Sequence, residues 1–373
     1  MVGTALCSGF RVLLGALIVV DNARQGDVGE GLKPGSAKPL IVASSNLAVA
    51  AIQQKMTPCD SLNRKESNAM SEQVNNVKQL APDRIGMMKQ TQPELYVMRL
   101  KALAGDLSSF QLAAIAEVAE RYGKGVVHLS TRQGVEIHHV HKDDLDDAKL
   151  ALHEAGVEMG ACGPRVRGIL ACPGAETCKW GVIDTKQLAR ELDERYFKRE
   201  TPSKFKISVT GCAHNCTKAN ENDIGIRGAI EPRWHAEACT DCGHCLSFCP
   251  VGVIQRRVDQ QQAAGFRYEV DEERCINCSV CTSMCPTGSW VAGRSGYTVL
   301  IGGTMGKIPR FGSVLKRFAE TEAEALALVD SAIDYYCKHG RKKERFGHMI
   351  DRIGLDEVKE EILEGALQRV EKE

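Results

Sequence analysis

The sequence predicts an α+β protein that carries a small cysteine-rich unit inside a larger domain. Strand-like and helix-like segments alternate from Glu94 onward, and similar segments resume after residue 286. Between them, residues 236–286 hold eight cysteines in two copies of one motif. A stretch with its own binding pattern that is flanked on both sides by α/β sequence indicates an insertion.

The first periodic part, assigned to residues 70–156, has the element order of half a ferredoxin-like unit. "ELYVMRLKAL", "GVVHLS" and "GVEIHHV" predict strands, and "DDLDDAKLALHEAG" predicts a helix. "SSFQLAAIAEVAERYG" predicts an earlier helix that Ser108 and Gln111 cap and Gly123 ends. Its expected core face is formed by Leu112, Ile115, Ala119 and Tyr122. The order strand–helix–strand–strand–helix is that of a ferredoxin-like half-domain.

Composition places the chain among ordinary globular proteins. Hydrophobic residues make up 43% and charged residues 26%, and the formal net charge is zero, so no nucleic-acid partner is expected. The longest apolar run, residues 12–20, is too short to span a bilayer. Residues 1–69 show little pattern, and Met70 opens a more regular stretch. We expect residues 1–69 to be a disordered or mis-assigned extension.

The cysteine content indicates metal binding. Twelve of the sixteen cysteines fall into three tight groups. A disulfide framework is typical of small secreted domains, whereas this chain is long and has ample apolar sequence for a core. If the metal is iron in oxygen-sensitive clusters, the protein needs a reducing compartment, and we expect it to be cytoplasmic.

Two of the groups, "CTDCGHCLSFCP" and "CINCSVCTSMCP", share the spacing C-x2-C-x2-C-x3-C-P. This spacing resembles that of bacterial two-cluster ferredoxins, in which three cysteines bind one cubane and the fourth binds the other. One [4Fe–4S] cluster is therefore predicted on Cys239, Cys242, Cys245 and Cys285. The second is predicted on Cys249, Cys275, Cys278 and Cys281. Zinc is the alternative, but the doubled pattern is not typical of it.

The third group lies in two separate segments. "CPGAETC" contains Cys172 and Cys178, and "GCAHNC" contains Cys212 and Cys216. Four thiolates suffice for a third cubane, with a structural zinc site as the alternative. "KFKISV" lies just before the second pair. As a strand, it would place Lys204 and Lys206 on one face and its apolar residues on the other.

The paired patterns C-x5-C and G-C-x3-C resemble those of the sulfite and nitrite reductases that couple a sirohaem to a [4Fe–4S] cluster. The resemblance covers about residues 90–350 and is most like the compact dissimilatory-type and anaerobic sulfite reductases. It implies a sirohaem/[4Fe–4S] catalytic domain over residues 157–235 and 287–373, with the two-cluster ferredoxin insert at 236–286. It also implies that Cys216 bridges the cluster and the haem iron.

The same resemblance implies roles for cationic residues. Lys204, Lys206 and Arg167 match the family's anion-binding positions, and either Arg99 or Lys101 in "MRLKALAG" matches a further arginine, with Arg99 preferred. Contacts to the sirohaem carboxylates are implied for the segments "STRQ" and "GGTMGKIPR". The residues concerned are Thr131, Arg132, Gln133, Gly302, Gly303, Lys307 and Arg310.

The function that the resemblance implies is six-electron reduction of sulfite to sulfide. Nitrite reduction to ammonia on the same cofactor and a non-catalytic electron-transfer subunit are the alternatives. No convincing nicotinamide or flavin motif is present, so we expect an external donor such as a ferredoxin or a partner redox subunit. Larger family members pair two half-domains and two catalytic modules. This chain has one of each, which predicts self-association or pairing with a similar subunit.

Overall fold

The computed structural model describes residues 85–262 and 264–371, which belong to one compact unit. The extension expected over residues 1–69 lies outside these ranges and stays a prediction. None of the helices within the described ranges is long and apolar enough to cross a bilayer.

The described residues form eleven strands and eight α-helices in a mixed order, which confirms the α+β class. The strands are β1 (Met87–Lys89), β2 (Leu95–Leu100), β3 (Val127–Leu129), β4 (Val135–His141), β5 (Leu170–Ala171), β6 (Ile207–Thr210), β7 (Ile224–Trp234), β8 (Ile254–Val258), β9 (Phe266–Val270), β10 (Trp290–Ile301) and β11 (Ser313–Ala319). The helices are α1 (Ser109–Tyr122), α2 (Leu145–Glu154), α3 (Thr185–Tyr196), α4 (His244–Phe248), α5 (Val280–Met284), α6 (Glu322–His339), α7 (Phe346–Ile353) and α8 (Leu355–Val370).

The first sheet is antiparallel, with the strand order β1-β2-β4-β3, and α1 and α2 pack with it around one core. The predicted capping box of α1 is present: Ser108 Oγ accepts from the Gln111 backbone N–H at 3.1 Å, and Gln111 Oε1 accepts from the Ser108 backbone N–H at 2.9 Å. The expected core face was wrong at Leu112, which is half exposed. Val118 is buried instead, because the sheet covers the neighbouring stripe of the helix.

The second sheet has the strand order β11-β10-β7-β6-β5. Strands β5, β6 and β7 run parallel, and β10 and β11 are antiparallel to their neighbours. Helices α3, α6, α7 and α8 share its core. Since the carboxyl ends of parallel strands lie at the same sheet edge, the residues that follow β5 and β6 are brought together.

The cysteine-rich segment is carried between two long paired strands. Strands β7 and β10 remain paired out to Trp234 and Trp290, with a register shift between Ala292 and Ser295. The chain between them forms the β8–β9 hairpin with the short helices α4 and α5. This part has its own small core, which includes Phe266, Tyr268 and Trp290.

Candidate functional site

A cationic cavity of about 330 Å³ is the main concave feature of the site. One acidic side chain, that of Glu136, lines it. All four residues predicted to clamp the anion are present, together with Thr131 and Arg132. The cationic residues that line the cavity are Arg99, Lys101, Arg132, Arg167, Lys204 and Lys206.

Backbone pairing brings the cationic residues together from three parts of the chain. Arg99, on β2, pairs with Glu136 of β4, so the half-domain contributes one wall. The Arg167 backbone N–H donates to the Phe205 carbonyl at 2.9 Å, which places Arg167 beside the segment that carries Lys204 and Lys206.

The predicted alternation in "KFKISV" is present, although the strand is shorter than expected. Strand β6 begins at Ile207, and Lys204 and Lys206 lie in the extended segment before it. Phe205 is fully buried, whereas Lys204 is exposed and Lys206 is half-buried. The anchor of this segment is therefore Phe205, which leaves both ammonium groups on the cavity side.

Arg132 is the most deeply buried cation of the cavity. Its Nη1 donates to Asn222 Oδ1 at 2.6 Å, and its Nη2 donates to the Gly168 carbonyl at 3.2 Å. Burial lowers the pKa of Arg132 to about 10; the negative charge of Asp223 opposes this shift, and the positive charges of Arg167 and Arg345 add to it. Both of its hydrogen-bond partners are neutral, so the guanidinium is a fixed positive charge with little water around it.

Arg167 and Lys206 extend this excess of positive charge. Arg167 Nη2 donates to the Gly163 carbonyl at 3.0 Å, but its buried Nη1 has no hydrogen-bond partner among the described residues. Burial lowers the pKa of Arg167, and burial together with Arg132 and Arg345 lowers the pKa of Lys206 to about 8. Desolvated cations of this kind are stabilised by a bound anion.

Arg99 and Lys101 differ in how far their charge is neutralised. Lys101 Nζ lies 2.5 Å from Asp193 Oδ2 and 2.6 Å from Glu158 Oε2, and it also sits 4.3 Å from the Phe197 ring centre. Arg99 has one ion pair, in which its Nε lies 2.8 Å from Glu136 Oε1. The charge of Lys101 is thus largely committed within the protein, which favours Arg99 as the anion contact.

The third cysteine group assembles where β5 and β6 end. The Gly211 backbone N–H donates to Cys172 Sγ at 3.0 Å. Burial raises the pKa of Cys212, and the nearby thiols of Cys172, Cys216 and Cys178 raise it further. Cys212 therefore lies within electrostatic reach of the other three thiols of the group, and a cluster on these four cysteines stays a prediction.

The remaining residues predicted to contact sirohaem lie outside the cavity lining. Gln133 Nε2 donates to the Ala171 carbonyl at 2.7 Å, so it fastens the half-domain loop to β5. Arg310 Nε donates to Asp351 Oδ1 at 2.8 Å, and Lys307 is exposed.

The predicted glycines, Gly302 and Gly303, lie where two backbone segments approach each other closely. A side chain at Gly303 would meet the Asn220 carbonyl oxygen at 2.4 Å, and Gly302 has a φ of +81°. These two glycines therefore allow the chain to pass closely behind Asn222, the residue that binds Arg132.

Sequence reasoning missed Asp223 and Arg345. Arg345 Nη2 lies 2.7 Å from Asp223 Oδ2, and the same oxygen accepts from the Lys206 backbone N–H at 2.9 Å. No local pattern distinguishes either residue, because 122 positions separate them.

The eight cysteines of the insert line two separate small cavities. One is lined by Cys239, Cys242, Cys245 and Cys285, and the other by Cys249, Cys275, Cys278 and Cys281. These are the two sets that the motif spacing paired. Within the described ranges, no three or more Cys, His, Asp or Glu side chains are grouped so that they could hold one metal ion.

A family model described as the nitrite and sulphite reductase 4Fe-4S domain matches residues 162–370. The chain belongs to this family. A second model, the nitrite/sulfite reductase ferredoxin-like half domain, matches residues 88–155. The two matches together include all six cationic residues of the cavity and all twelve clustered cysteines.

Among relatives in the family, the chain is 35% identical over 272 residues to the coenzyme F420-dependent sulfite reductase of Methanocaldococcus jannaschii. That match covers 72% of this chain and 42% of the relative, so the chain spans less than half of that protein. An uncharacterised protein of the same organism is 32% identical over 271 residues, which cover 73% of this chain and 92% of the relative.

The fold is also found in a solved family structure. The crystal structure of dissimilatory sulfite reductase I aligns with a TM-score of 0.60 at 16% identity, covering 83% of this chain and 89% of that one. At this identity the likeness shows a shared fold.

Proposed function

We propose that this chain is the catalytic unit of a sulfite reductase, which reduces sulfite to sulfide at a sirohaem coupled to a [4Fe–4S] cluster. One observation carries the proposal: β5 and β6 both start beside the cationic cavity and end just before Cys172 and Cys212 of the third cysteine group. An anion site and a cluster site are thereby held at opposite ends of the same two strands.

The residues present fit sirohaem, a macrocycle with eight carboxylates. The buried guanidinium of Arg132, whose hydrogen-bond partners Asn222 and Gly168 are both neutral, is suited to a carboxylate acceptor. Thr131 lines the same wall of the cavity. Cys172, Cys178, Cys212 and Cys216 would hold the cluster, with Cys216 as the shared ligand. When bound, the sirohaem would supply a redox-active iron centre that passes single electrons to the substrate.

The overall reaction consumes six electrons and six protons: HSO₃⁻ + 6 e⁻ + 6 H⁺ gives HS⁻ + 3 H₂O. Arg99, Arg167, Lys204 and Lys206 bind the sulfite oxygens and stabilise negative charge as each oxygen leaves. Lys206 Nζ, with a pKa of about 8, gives up and regains a proton readily near neutral pH. These residues bind the anion and donate protons, whereas the electrons arrive from the clusters.

Electron supply is assigned to the insert. Its two thiol sets would hold two further [4Fe–4S] clusters, which makes three in the chain. An external low-potential donor, either a ferredoxin or a partner redox subunit, would reduce them. We further propose that the protein acts in the cytoplasm and that it self-associates or pairs with a similar subunit.

The test begins with the protein purified without oxygen. We expect a visible spectrum with sirohaem bands and enough iron and labile sulfide for three clusters. Reduced methyl viologen should be oxidised on addition of sulfite, with sulfide as the product. Cys216→Ser should abolish this activity and the coupling between haem and cluster while sparing the insert clusters. A spectrum with iron–sulfur features alone would instead favour an electron-transfer subunit.

Nitrite is the competing substrate, because a cationic cavity suits either small anion and the family includes enzymes for both. The same assay with nitrite, at equal donor and enzyme concentration, separates them. A kcat/KM for nitrite above that for sulfite would overturn the choice of sulfite.

A further inference from the structure

Arg227 lies between the insert and the catalytic sheet. On β7 it pairs in register with Thr210 of β6, and Thr210 is followed by Gly211 and Cys212. A side chain at Gly228 would meet the Gly211 carbonyl oxygen at 2.3 Å, so the two strands approach closely here. Arg227 is therefore held beside the loop that carries Cys212.

The other end of Arg227 reaches the insert. Its Nη2 donates to the Ile276 carbonyl at 3.3 Å, and Ile276 lies between Cys275 and Cys278. The same loop is fastened to β7 twice more. The Ile230 backbone N–H donates to the Asn277 carbonyl at 3.0 Å, and Asn277 Nδ2 donates to the Ile230 carbonyl at 3.2 Å.

The charge of Arg227 is held near thiols of two different sets. Its Nε is buried and has no hydrogen-bond partner among the described residues. Burial and the nearby charge of Arg317 lower the pKa of Arg227, whereas Cys278 and Cys212 act in the opposite direction. A partly desolvated cation that is close to both sulfurs favours negative charge on either side of it.

The remaining thiol set has different neighbours. Tyr268 and Trp290 line the cavity of Cys239, Cys242, Cys245 and Cys285. Arg256, whose Nη2 lies 2.8 Å from Asp241 Oδ2, is a cation near this set: the Asp241 hydrogen bond chiefly raises its pKa, and Cys239 adds to the rise. Arg227 contacts the Cys275–Cys278 loop, so the two insert sites differ in their distance from the catalytic sheet.

We propose that Arg227 is a positioning residue for electron transfer, which holds the Cys275–Cys278 loop against the catalytic sheet and stabilises the reduced state of the cluster on Cys249, Cys275, Cys278 and Cys281. This inference rests on the proposed function. Under this proposal, that cluster is the last relay before the catalytic-sheet cluster on Cys172, Cys178, Cys212 and Cys216. The other insert cluster, on Cys239, Cys242, Cys245 and Cys285, then receives electrons from the external donor.

The step that Arg227 serves is the movement of one electron. The cluster on Cys249, Cys275, Cys278 and Cys281 is oxidised by one electron, and the cluster on the catalytic sheet is reduced by one. No bond forms or breaks and no proton moves. The external one-electron donor then reduces the insert again. Because a bound cluster gains negative charge on reduction, a nearby cation raises its reduction potential.

The experiment compares Arg227→Gln, which removes the charge, with Arg227→Lys, which retains it. Arg233→Gln is the matched control, because Arg233 is on the same strand but is exposed and paired with Glu231. Each full-length protein, purified without oxygen, is titrated electrochemically and followed by electron paramagnetic resonance. In Arg227→Gln the reduction potential of one insert cluster should fall by about 59 mV, which corresponds to a loss of about tenfold in the equilibrium constant for one-electron reduction. Arg227→Lys should retain most of the wild-type value, and Arg233→Gln all of it.

Two results would overturn the proposal. One is unchanged potentials for every cluster in Arg227→Gln. The other is an equal shift, or an equal loss of one cluster, in both Arg227 variants, because charge would then not be the cause. If Arg227→Gln loses a cluster and Arg227→Lys does not, the proposal is supported, because the positive charge is then required to retain that cluster. These potentials are measured without sulfite, so they stand even if the protein proves not to reduce it.

Discussion

Asp223 and Arg345 form a buried ion pair behind the cationic cavity. Asp223 is fully buried, and its Oδ2 lies 2.7 Å from Arg345 Nη2. That oxygen also accepts the Lys206 backbone N–H. The pair therefore ties the start of β7 to the start of α7 and fixes the backbone from which Lys206 reaches into the cavity.

Asp223→Asn should destabilise the protein by about 3–5 kcal/mol, because it leaves the Arg345 charge buried without a counter-charge. Thermal unfolding followed by circular dichroism measures the effect. Asp106→Asn is the control, since its pair with Lys186 involves a carboxylate that is 66% exposed and is worth at most about 1 kcal/mol. Equal losses in the two variants would contradict a special role for the buried pair.

Arg167→Met should weaken sulfite binding by about 10–150-fold, which corresponds to the loss of one charge-assisted hydrogen bond of about 1.5–3 kcal/mol. The reason is that the partnerless Nη1 of Arg167 is a donor reserved for an anion. A spectral titration with sulfite gives the dissociation constant. Arg165→Met, two residues away and paired with the exposed Glu200, should bind sulfite as wild type does.

Arg99→Met and Lys101→Met should have opposite signatures. Loss of Arg99 should reduce kcat/KM for sulfite and leave the melting temperature nearly unchanged. Loss of Lys101 should reduce stability by about 1–3 kcal/mol, since Asp193 is buried and would lose its partner. Measuring both sulfite-reducing activity and melting temperature in each variant shows which of the two residues contacts the anion. A larger loss of sulfite affinity in Lys101→Met would reverse the assignment.

Anion binding should weaken as the pH rises through the pKa of Lys206. That pKa is about 8 in the free cavity, so the ammonium is charged below this pH and neutral above it. Bound anionic groups stabilise the charged form, so in the loaded enzyme the decline lies at or above about pH 8. Nitrite, whose charge is constant over this range, is the suitable probe. Lys206→Arg should remove the decline, because arginine keeps its proton throughout.

Local spacing in the sequence was enough to predict several features of the chain. The repeated cysteine motif predicted the three closely spaced thiols of each small cavity in the insert, because ligands a few residues apart are confined by the chain itself. The fourth thiol of each cavity, Cys285 or Cys249, is distant in the chain and was predicted from the resemblance to two-cluster ferredoxins. The capping box at Ser108 and the alternation around Phe205 were equally local, and both are present.

The charge balance of the cavity was decided only by the tertiary structure. Arg99 and Lys101 are two residues apart and chemically alike, yet Asp193 and Glu158, distant in the chain, neutralise Lys101. Likewise, the closeness of Arg227 to two cysteine sets arises from the β6–β7 register and a loop of the insert. Long-range packing determines which charges meet in low dielectric, and the strength of a charge interaction depends on that environment more than on the residue type.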